Sequence, residues 1–398
     1  MKMKSHILWI AWIGLSLVMF GFLGSTAPAR AAGPVVVGVL QWEKFAYAPM
    51  MKNAFEMARK AVNDAGGIQG RPLVLVYADD QGERTPGEKA VESLVYLEKA
   101  VMLVGGYGSS NTLYTARVAE RLDRPFLVCT AADDRITQRE QINVYRLNPP
   151  AGEYTKGLQA FLTERVSPRT MAIVYENSPY GTGGAMNMMW FCRENDIAIK
   201  AIQPYFKDGA RSDYLQRILT PIQKDPPDVL FMSSYLKDAV LLVTNISELN
   251  IKTIRCGGAG GFTHNDFPRQ TDNASEYLLT ATLWAPSSDD FQAKDFYQRF
   301  FKRHGKKPDY HAVEAYSAMI VAATALKKST SLEPSAIRTA IDSINIKTPF
   351  GLVQFKDYGP FQRQNVSQTP VLQIINNNYE TVWPEKLKTA EFINPHLQ

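Results

Sequence analysis

Short apolar strands alternate with amphipathic helices along most of this chain, and this alternation limits the fold more than any other feature. The run VVVGVL at 35–40 is apolar throughout, which is typical of a strand covered on both faces of a sheet. The segment 51–62 then carries apolar residues at helical spacing, and Gly66 and Gly67 allow that helix to end. Such alternation predicts an α/β fold with parallel sheets.

Two series of strands and helices follow one another. The first has its predicted strands at 35–40, 73–77, 101–104 and 125–128. The second begins after Asn148-Pro149-Pro150 and has its predicted strands at 172–175, 199–205 and 229–232. Because 398 residues exceed a typical single domain, we predict two doubly wound lobes.

The first 31 residues have the pattern of a secretory signal peptide. Lys2 and Lys4 precede an apolar run at 7–24, and small residues at 29–31 offer a cleavage site. The apolar run is nearly long enough to span a bilayer, so an uncleaved anchor is the alternative interpretation. Cleavage removes three basic residues and no acidic one, which lowers the formal charge from +5 to +2. The mature chain therefore gives no charge basis for nucleic-acid binding.

Catalytic and metal-binding motifs are missing from the sequence. It has no Gly-x-x-x-x-Gly-Lys loop, no Gly-x-Gly-x-x-Gly fingerprint and no Gly-x-Ser-x-Gly elbow. The histidines do not occur at metal-ligand spacing, and the three cysteines lie far apart, at positions 129, 192 and 256. We therefore predict a protein that is not an enzyme and that uses no cofactor and no metal ion.

Four short motifs occur in a definite order along the mature chain. NDAGGIQG at 63–70 follows the first predicted helix, and YADD at 77–80 ends the second predicted strand. GGYGSSNT at 105–112 follows the third strand, and a strand with a Tyr-Gly pair at 173–181 opens the second series. In order and spacing these motifs resemble those of the leucine/isoleucine/valine-binding protein family, the type I periplasmic solute-binding proteins of ABC transporters. The similarity extends over nearly the whole mature chain.

This resemblance implies a type I periplasmic binding protein fold, with two doubly wound parallel-sheet lobes joined by a three-stranded hinge. The three crossings between the lobes are expected near 148–150, 282–285 and 350–352. The implied lobes are 33–149 with 282–350 for the N-terminal lobe, and 150–281 with 351–398 for the C-terminal lobe. Ligands of open α/β sheets bind at the carboxyl ends of strands, and here two such ends face one another across a cleft.

The function that the resemblance implies is capture of a small solute in that cleft. The solute is expected to be an apolar amino acid, such as a branched-chain one, or an aromatic or aliphatic carboxylate. A monomer in the periplasm would close its lobes on the solute and deliver it to an ABC transporter permease in the inner membrane. The alternative is a ligand-sensing subunit of the same fold, which signals to a membrane receptor or kinase.

The loop after the third strand is the first candidate for ligand contact. Ser109 and Ser110 precede a predicted helix that begins near Asn111, and Tyr107 lies in the same loop. Hydroxyl groups and the exposed amides of a helix N-terminus suit a ligand carboxylate. The simpler interpretation is that these residues only cap the helix.

The loop after the fourth strand is the second candidate. In the family that this chain resembles, the equivalent stretch holds the carboxylate and ammonium of an amino acid. Here Thr130, Ala131 and Ala132 stand at that place. The match can shift by one residue, so the position that supplies a hydroxyl stays open.

Aromatic residues are the third group of candidates. The resemblance places Tyr180 and Tyr235 in the cleft wall of the C-terminal lobe. The loop after the first strand carries Trp42, Phe45 and Tyr47, which are expected to cover an apolar part of the ligand. Ordinary core or loop packing is the alternative for Trp42 and Phe45. Tyr316 lies on an apolar helical stripe, which favours a place in the core.

The loop at 256–261 departs from the family pattern. Amino-acid binders of the family carry an acidic residue here that pairs with the ligand ammonium, and this chain has Ala259 at the matching position. A buried ammonium without an anionic partner is costly. Either another acid replaces it, with Asp133 and Glu43 as the nearest candidates, or the natural ligand is a carboxylate without an α-amino group.

Overall fold

Two sheets with helices on their faces make up the part of the chain that the computed structural model describes, which is residues 33–138, 140–206, 211–285 and 290–395. The strands are β1 Val35–Gln41, β2 Leu73–Asp79, β3 Met102–Gly105, β4 Phe126–Val128, β5 Val144–Arg146, β6 Thr170–Glu176, β7 Ala198–Tyr205, β8 Val229–Ser233, β9 Ile254–Gly257, β10 Leu279–Ala281, β11 Asn345–Thr348, β12 Gly351–Tyr358, β13 Phe361–Asn365, β14 Val371–Ile375 and β15 Asn378–Trp383. The helices are α1 Ala48–Asp64, α2 Arg84–Tyr96, α3 Ser109–Arg121, α4 Lys156–Phe161, α5 Pro179–Glu194, α6 Ser212–Lys224, α7 Leu236–Glu248, α8 Phe267–Gln270, α9 Phe291–His304, α10 Tyr310–Lys328 and α11 Pro334–Asp342.

Each sheet has a parallel body and an antiparallel edge. The first sheet has the order β11-β12-β13-β5-β4-β3-β1-β2, and the pairs from β13 to β2 are parallel. The second sheet has the order β15-β14-β10-β9-β8-β6-β7, with parallel pairs from β10 to β7. The predicted α/β fold with parallel sheets is therefore confirmed.

The helices cover both faces of each sheet. In the first lobe, α1 and α10 pack against each other over one face, while α2 and α3 pack together over the other. In the second lobe, α6 and α7 cover one face and α5 contacts the opposite side of β6 and β8. Because both faces are buried, the central strands need apolar residues at consecutive positions, as in β8, where every residue is buried.

The first helix shows how the sequence sets a local boundary. Its apolar stripe includes Met51, Phe55 and Val62, all buried in the core as the spacing predicts. The chain then turns through Gly66 and Gly67, whose φ values are +92° and +70°. Only glycine adopts this left-handed backbone at little cost, so the pair ends the helix and directs the chain into β2.

The chain crosses between the two sheets three times. It leaves the first sheet after β5, returns after β10, and leaves again between β13 and β14. The third crossing therefore lies between Asn365 and Val371 rather than near 350–352 as expected from the sequence. Residues 351–365, which the resemblance implied for the C-terminal lobe, instead form strands of the first sheet.

Side-chain hydrogen bonds explain why this late hairpin joins the first sheet. The Gln364 side-chain oxygen accepts from Arg146 Nε at 2.6 Å, and its nitrogen donates to the Asn148 carbonyl at 2.6 Å. The Asn365 amide donates to the Leu147 carbonyl at 2.9 Å. Apolar periodicity cannot predict these contacts, because they are made by amide side chains, which give no apolar pattern.

Within the described residues, no helix is both long and apolar enough to cross a membrane. The predicted signal peptide, residues 1–31, lies outside the described part of the chain.

The two glycines after α1 give a test of the turn. An alanine Cβ at Gly67 would lie 2.1 Å from the Arg71 carbonyl oxygen, whereas nothing lies within 4 Å of a Cβ at Gly66. Gly66→Ala should therefore lower the free energy of unfolding by about 1 kcal/mol, from backbone strain alone. Gly67→Ala should lower it by about 3 kcal/mol, because the Arg71 backbone must also move. Urea denaturation measures both, and equal losses would contradict the close approach.

Candidate ligand-binding site

The carboxyl ends of strands from both sheets meet at one small cavity. Its volume is about 20 Å³, and it is lined by Tyr107, Ser109, Thr130, Ala132, Tyr154, Tyr180, Tyr235, Gly260, Tyr310 and His311. Loops after β3 and β4 supply the first-lobe wall, and loops after β6, β8 and β9 supply the opposite wall. This volume holds about one water molecule, so a solute of amino-acid size fits only after the lobes separate.

Hydrogen bonds fix the two first-lobe loops to each other. The Ser109 hydroxyl oxygen accepts from the Ala132 backbone N–H at 3.1 Å, which leaves its own hydrogen available as a donor. The Thr130 carbonyl accepts from the Asn148 amide at 2.8 Å and from the Tyr154 hydroxyl at 3.2 Å. The first crossing therefore holds the loop that follows β4 in place.

Aromatic rings from the two lobes meet in the cleft. The ring centroids of Tyr107 and Tyr235 are 6.2 Å apart across the cleft, and those of Tyr180 and Tyr235 are 5.3 Å apart. Phe45 lies 3.7 Å from Tyr107 and 5.9 Å from Tyr235, also measured between centroids. Burial raises the pKa of Tyr180 and Tyr107, so both rings stay neutral at physiological pH.

One hydrogen bond joins the two walls behind the cavity. The Tyr47 hydroxyl donates to the Gly260 carbonyl at 2.8 Å, and its ring stacks on His311 with centroids 3.7 Å apart. Tyr47 is 1% exposed, so this contact is shielded from water. It is a first-lobe to second-lobe interaction, and separation of the lobes would break it.

Six of the eleven side chains predicted from the sequence line the cavity, and five do not. The six are Tyr107, Ser109, Thr130, Ala132, Tyr180 and Tyr235. Ser110 is exposed, and Ala131 is buried in the core between the first sheet and α3. Ala259 is buried next to the lining residue Gly260, Tyr47 lies behind the wall, and Trp42 contacts Phe45 with centroids 5.2 Å apart.

Four lining residues were not anticipated from the sequence. Tyr154 follows the first crossing, and Tyr310 and His311 begin α10, behind an N-cap in which Asp309 accepts from the Ala312 N–H at 3.1 Å. Gly260 is next to the predicted Ala259. Tyr316, six residues beyond Tyr310, instead packs in the core against Phe296, with centroids 4.9 Å apart. In the sequence, the only local feature next to Tyr310 and His311 is the helix N-cap residue Asp309, and an N-cap does not indicate a ligand.

The acidic residues near the cleft are arranged differently from the expectation. Asp133 accepts three hydrogen bonds from Arg135, including Nη2 at 2.7 Å, so its charge is already paired. Glu43 is exposed. The buried acid beside the cavity is instead Glu314 on α10, close to the Thr130 hydroxyl.

A second, larger space adjoins the first at Tyr310. It has a volume of about 750 Å³ and receives side chains from both lobes, among them Trp284, Asp309, His264 and Tyr379. Since Tyr310 borders both spaces, the cleft between the lobes continues past the small cavity toward the second crossing.

The site carries no features of metal or thiol chemistry within the described residues. No group of three or more histidine, cysteine or acidic side chains is arranged to hold a metal ion there. Burial raises the pKa of the Cys129 thiol to about 12, and Cys192 and Cys256 are also buried and free. A thiol kept protonated in this way is unreactive.

Two lobes with facing strand ends and a cavity between them define a two-lobed binding protein of the type I fold. Three solved structures of low sequence identity to this chain share this fold. The branched-chain amino acid transporter binding protein LivJ of Streptococcus pneumoniae, in complex with isoleucine, gives a TM-score of 0.79 at 19% identity and covers 88% of this chain and 100% of its own. A Thermotoga maritima leucine-binding protein gives 0.78 at 17% identity, covering 92% and 100%. An R. palustris solute-binding protein in complex with benzoate gives 0.77 at 17% identity, covering 88% and 96%.

The sequence comparisons establish the family. The family model described as periplasmic binding protein matches residues 38–378, and the chain belongs to that family. A curated relative, Leu/Ile/Val-binding protein homolog 7 of Brucella suis, is 25% identical over 367 residues, which cover 85% of this chain and 88% of the relative. The predicted resemblance and fold class are thus confirmed, and the protein is a binding protein and not an enzyme.

The Tyr47 hydroxyl gives a test of the contact between the lobes. Tyr47→Phe should shift the equilibrium between closed and open arrangements about fivefold toward the open one, because one hydrogen bond contributes about 1 kcal/mol. Fluorescence energy transfer between one dye on each lobe measures this, since the native cysteines are buried and surface cysteines can be labelled selectively.

The matched control is Tyr379→Phe. The Tyr379 hydroxyl donates to the Phe262 carbonyl at 2.7 Å, and both residues belong to the second lobe. This variant should lose similar stability without changing the distance between the lobes. An unchanged distance in Tyr47→Phe would contradict the role given to that bond.

Proposed function

We propose that this protein is exported to the periplasm, captures a small carboxylate-bearing solute between its lobes, and delivers it to an ABC transporter permease in the inner membrane. The observation that carries the proposal is the convergence of polar and aromatic side chains from both lobes on one cavity at the strand ends. A cleft of this kind binds its ligand by enclosing it, and specificity comes from a few polar groups among apolar walls.

The N-terminus of α3 supports a carboxylate as the anchoring group. Ser109 is the first residue of this 13-residue helix, and it lines the cavity. Unpaired N–H groups and the helix dipole make such an end favourable for an anion. The hydroxyl of Ser109 adds a donor whose oxygen is already held by Ala132.

The rest of the wall supports an apolar or aromatic ligand body. Tyr107, Tyr180 and Tyr235 present rings from both lobes, and rings give a large contact area at low entropic cost. Two structural relatives hold isoleucine and benzoate, which share a carboxylate and an apolar body and differ in the ammonium group. Both chemistries fall within the proposed ligand class.

Capture requires movement of the lobes. The cavity of about 20 Å³ admits the ligand only from an open arrangement, and the three crossings are the segments that can act as the hinge. Closure would then be stabilised by the contacts that ligand and aromatic wall make together.

A binding screen tests the proposal. The chain from residue 32 onwards is mixed with amino acids, aromatic carboxylates and short aliphatic acids, and its melting temperature is recorded. A specific ligand at about one hundred times its dissociation constant should add about 2.7 kcal/mol of stability. If no small carboxylate raises the melting temperature, the proposed ligand class is wrong.

Two neighbouring serines sharpen this test. Ser109→Ala should weaken binding of the identified ligand about tenfold, because it removes a donor and leaves the buried Ala132 N–H without its acceptor. Ser110→Ala changes an exposed residue and should leave affinity within about twofold. Isothermal titration calorimetry measures both, and equal effects would argue against the placement of α3 at the ligand.

A further inference from the structure

Glu314 is a buried acid whose place in the fold calls for an explanation. It lies on α10, one helical turn after Tyr310, and its relative exposure is 0%. Neither carboxyl oxygen has a hydrogen bond of normal geometry within the described part of the chain. Burial raises the pKa of Glu314 well above its usual range, and the nearby Thr130 hydroxyl only partly offsets this. Buried carboxyl groups are nearly always hydrogen-bonded, so an orphaned one marks a role outside ordinary packing.

The surroundings of Glu314 are the residues of the cavity wall. Tyr154 and Tyr310, which line the cavity, and Cys129 beside the lining residue Thr130 have a raised pKa, chiefly because they are buried and in smaller part because the Glu314 carboxyl group is near. The acid therefore lies behind the first-lobe residues that line the cavity. Its carboxyl group and the surrounding tyrosine rings together form an environment that favours a cation.

No lysine or arginine compensates this acid at the cavity, and His311 is the lining side chain that can become a cation. The buried cation Arg146 directs its nitrogens to Gln364 Oε1, the Asp133 carbonyl and Thr137 Oγ1 at 2.6–2.7 Å. Because burial raises the pKa of Glu314, its carboxyl group is neutral in the empty cavity, and a ligand ammonium would supply the positive charge that favours the ionised form.

The second-lobe loop does not offer a competing acid. Ala259 occupies the place expected for one, and Gly260 beside it presents its backbone to the cavity. Asp133 is paired with Arg135, and Glu43 is exposed. Asp309, the N-cap of α10, is also buried, but it has His311 Nδ1 at 3.4 Å. Of these four acids, only Glu314 is both buried and without such a partner in the described residues.

We propose that Glu314 is the carboxylate that selects a ligand with an ammonium group, replacing from the first lobe the acid that the second-lobe loop lacks. This inference rests on the proposed function, and it narrows the ligand class to amino acids with an apolar side chain. The ligand carboxylate would bind at the α3 N-terminus, and the ammonium would point to Glu314 past Thr130. The protein would then reject carboxylates of the same shape that lack the amino group.

The test compares ligands that differ only in that group. The probes are leucine with 4-methylpentanoate, valine with 3-methylbutanoate, and phenylalanine with 3-phenylpropanoate, titrated calorimetrically into the wild-type protein. The expected result is that at least one amino acid binds about thirtyfold or more tightly than its deaminated partner, as found when one member of a buried charge pair is removed.

Glu314→Gln should remove most of that preference while keeping the shape of the side chain. Glu314→Met, of similar volume and apolar, is the second variant in case the amide disturbs folding. Both should melt at or above the wild-type temperature without ligand, because a buried carboxyl without partners is unfavourable. Glu43→Gln, the same change at an exposed acid, should leave both affinity and preference unchanged.

Each outcome decides a separate point. If wild type binds the deaminated acids as tightly as the amino acids, the proposed function stands and the role of Glu314 is overturned. If wild type prefers the amino acid and both Glu314 variants keep that preference, the ammonium is bound elsewhere and the inference is again wrong. If no probe of either kind binds, the proposed ligand class fails, and the inference fails with it.

Discussion

The hydrogen-bonded group around Gln364 is the interaction on which the two-lobe arrangement depends. Its side chain bonds Arg146 on β5 and the backbone of Asn148 in the first crossing, so β13 and β5 lie side by side next to the crossings. Burial lowers the pKa of Arg146 to about 10, and three oxygen acceptors hold its guanidinium in place. Because two crossings meet here, the strand ends of both sheets face each other.

That arrangement also explains the composition of the cleft wall. Loops that follow parallel strands come to one edge of each sheet, where backbone N–H groups are unpaired and side chains from distant segments converge. Ser109 accepts a hydrogen bond from the Ala132 backbone, and the Thr130 carbonyl accepts one from the Asn148 side chain. Tyr107, Tyr180 and Tyr235 supply the apolar area. Polar groups on one lobe and aromatic rings on both suit the proposed function, in which a ligand is enclosed and then released.

Apolar periodicity predicted β1 to β4 and β6 to β8 but missed β5 and β9. The α1 stripe with its glycine stop is present as expected. The crossing that the resemblance implied near 350–352 was wrong, because residues 351–365 belong to the first sheet, where amide side chains hold them. Within the site, the loop motif predicted both Ser109 and Ser110, yet only Ser109 lies at the cavity. Neighbouring residues at a helix start point in different directions, and a motif does not specify which of them faces inward.

The sequence by itself determined the α/β class, the family and the loops that carry the site, because strand length, helical spacing and glycine turns are local properties. Only the tertiary structure decided which buried acid lies near the cavity. Glu314 lies on a mostly buried helix whose first residues reach the cavity and whose remainder packs in the core. Its approach to Thr130 depends on packing between segments that are far apart in sequence, and no local pattern encodes that distance.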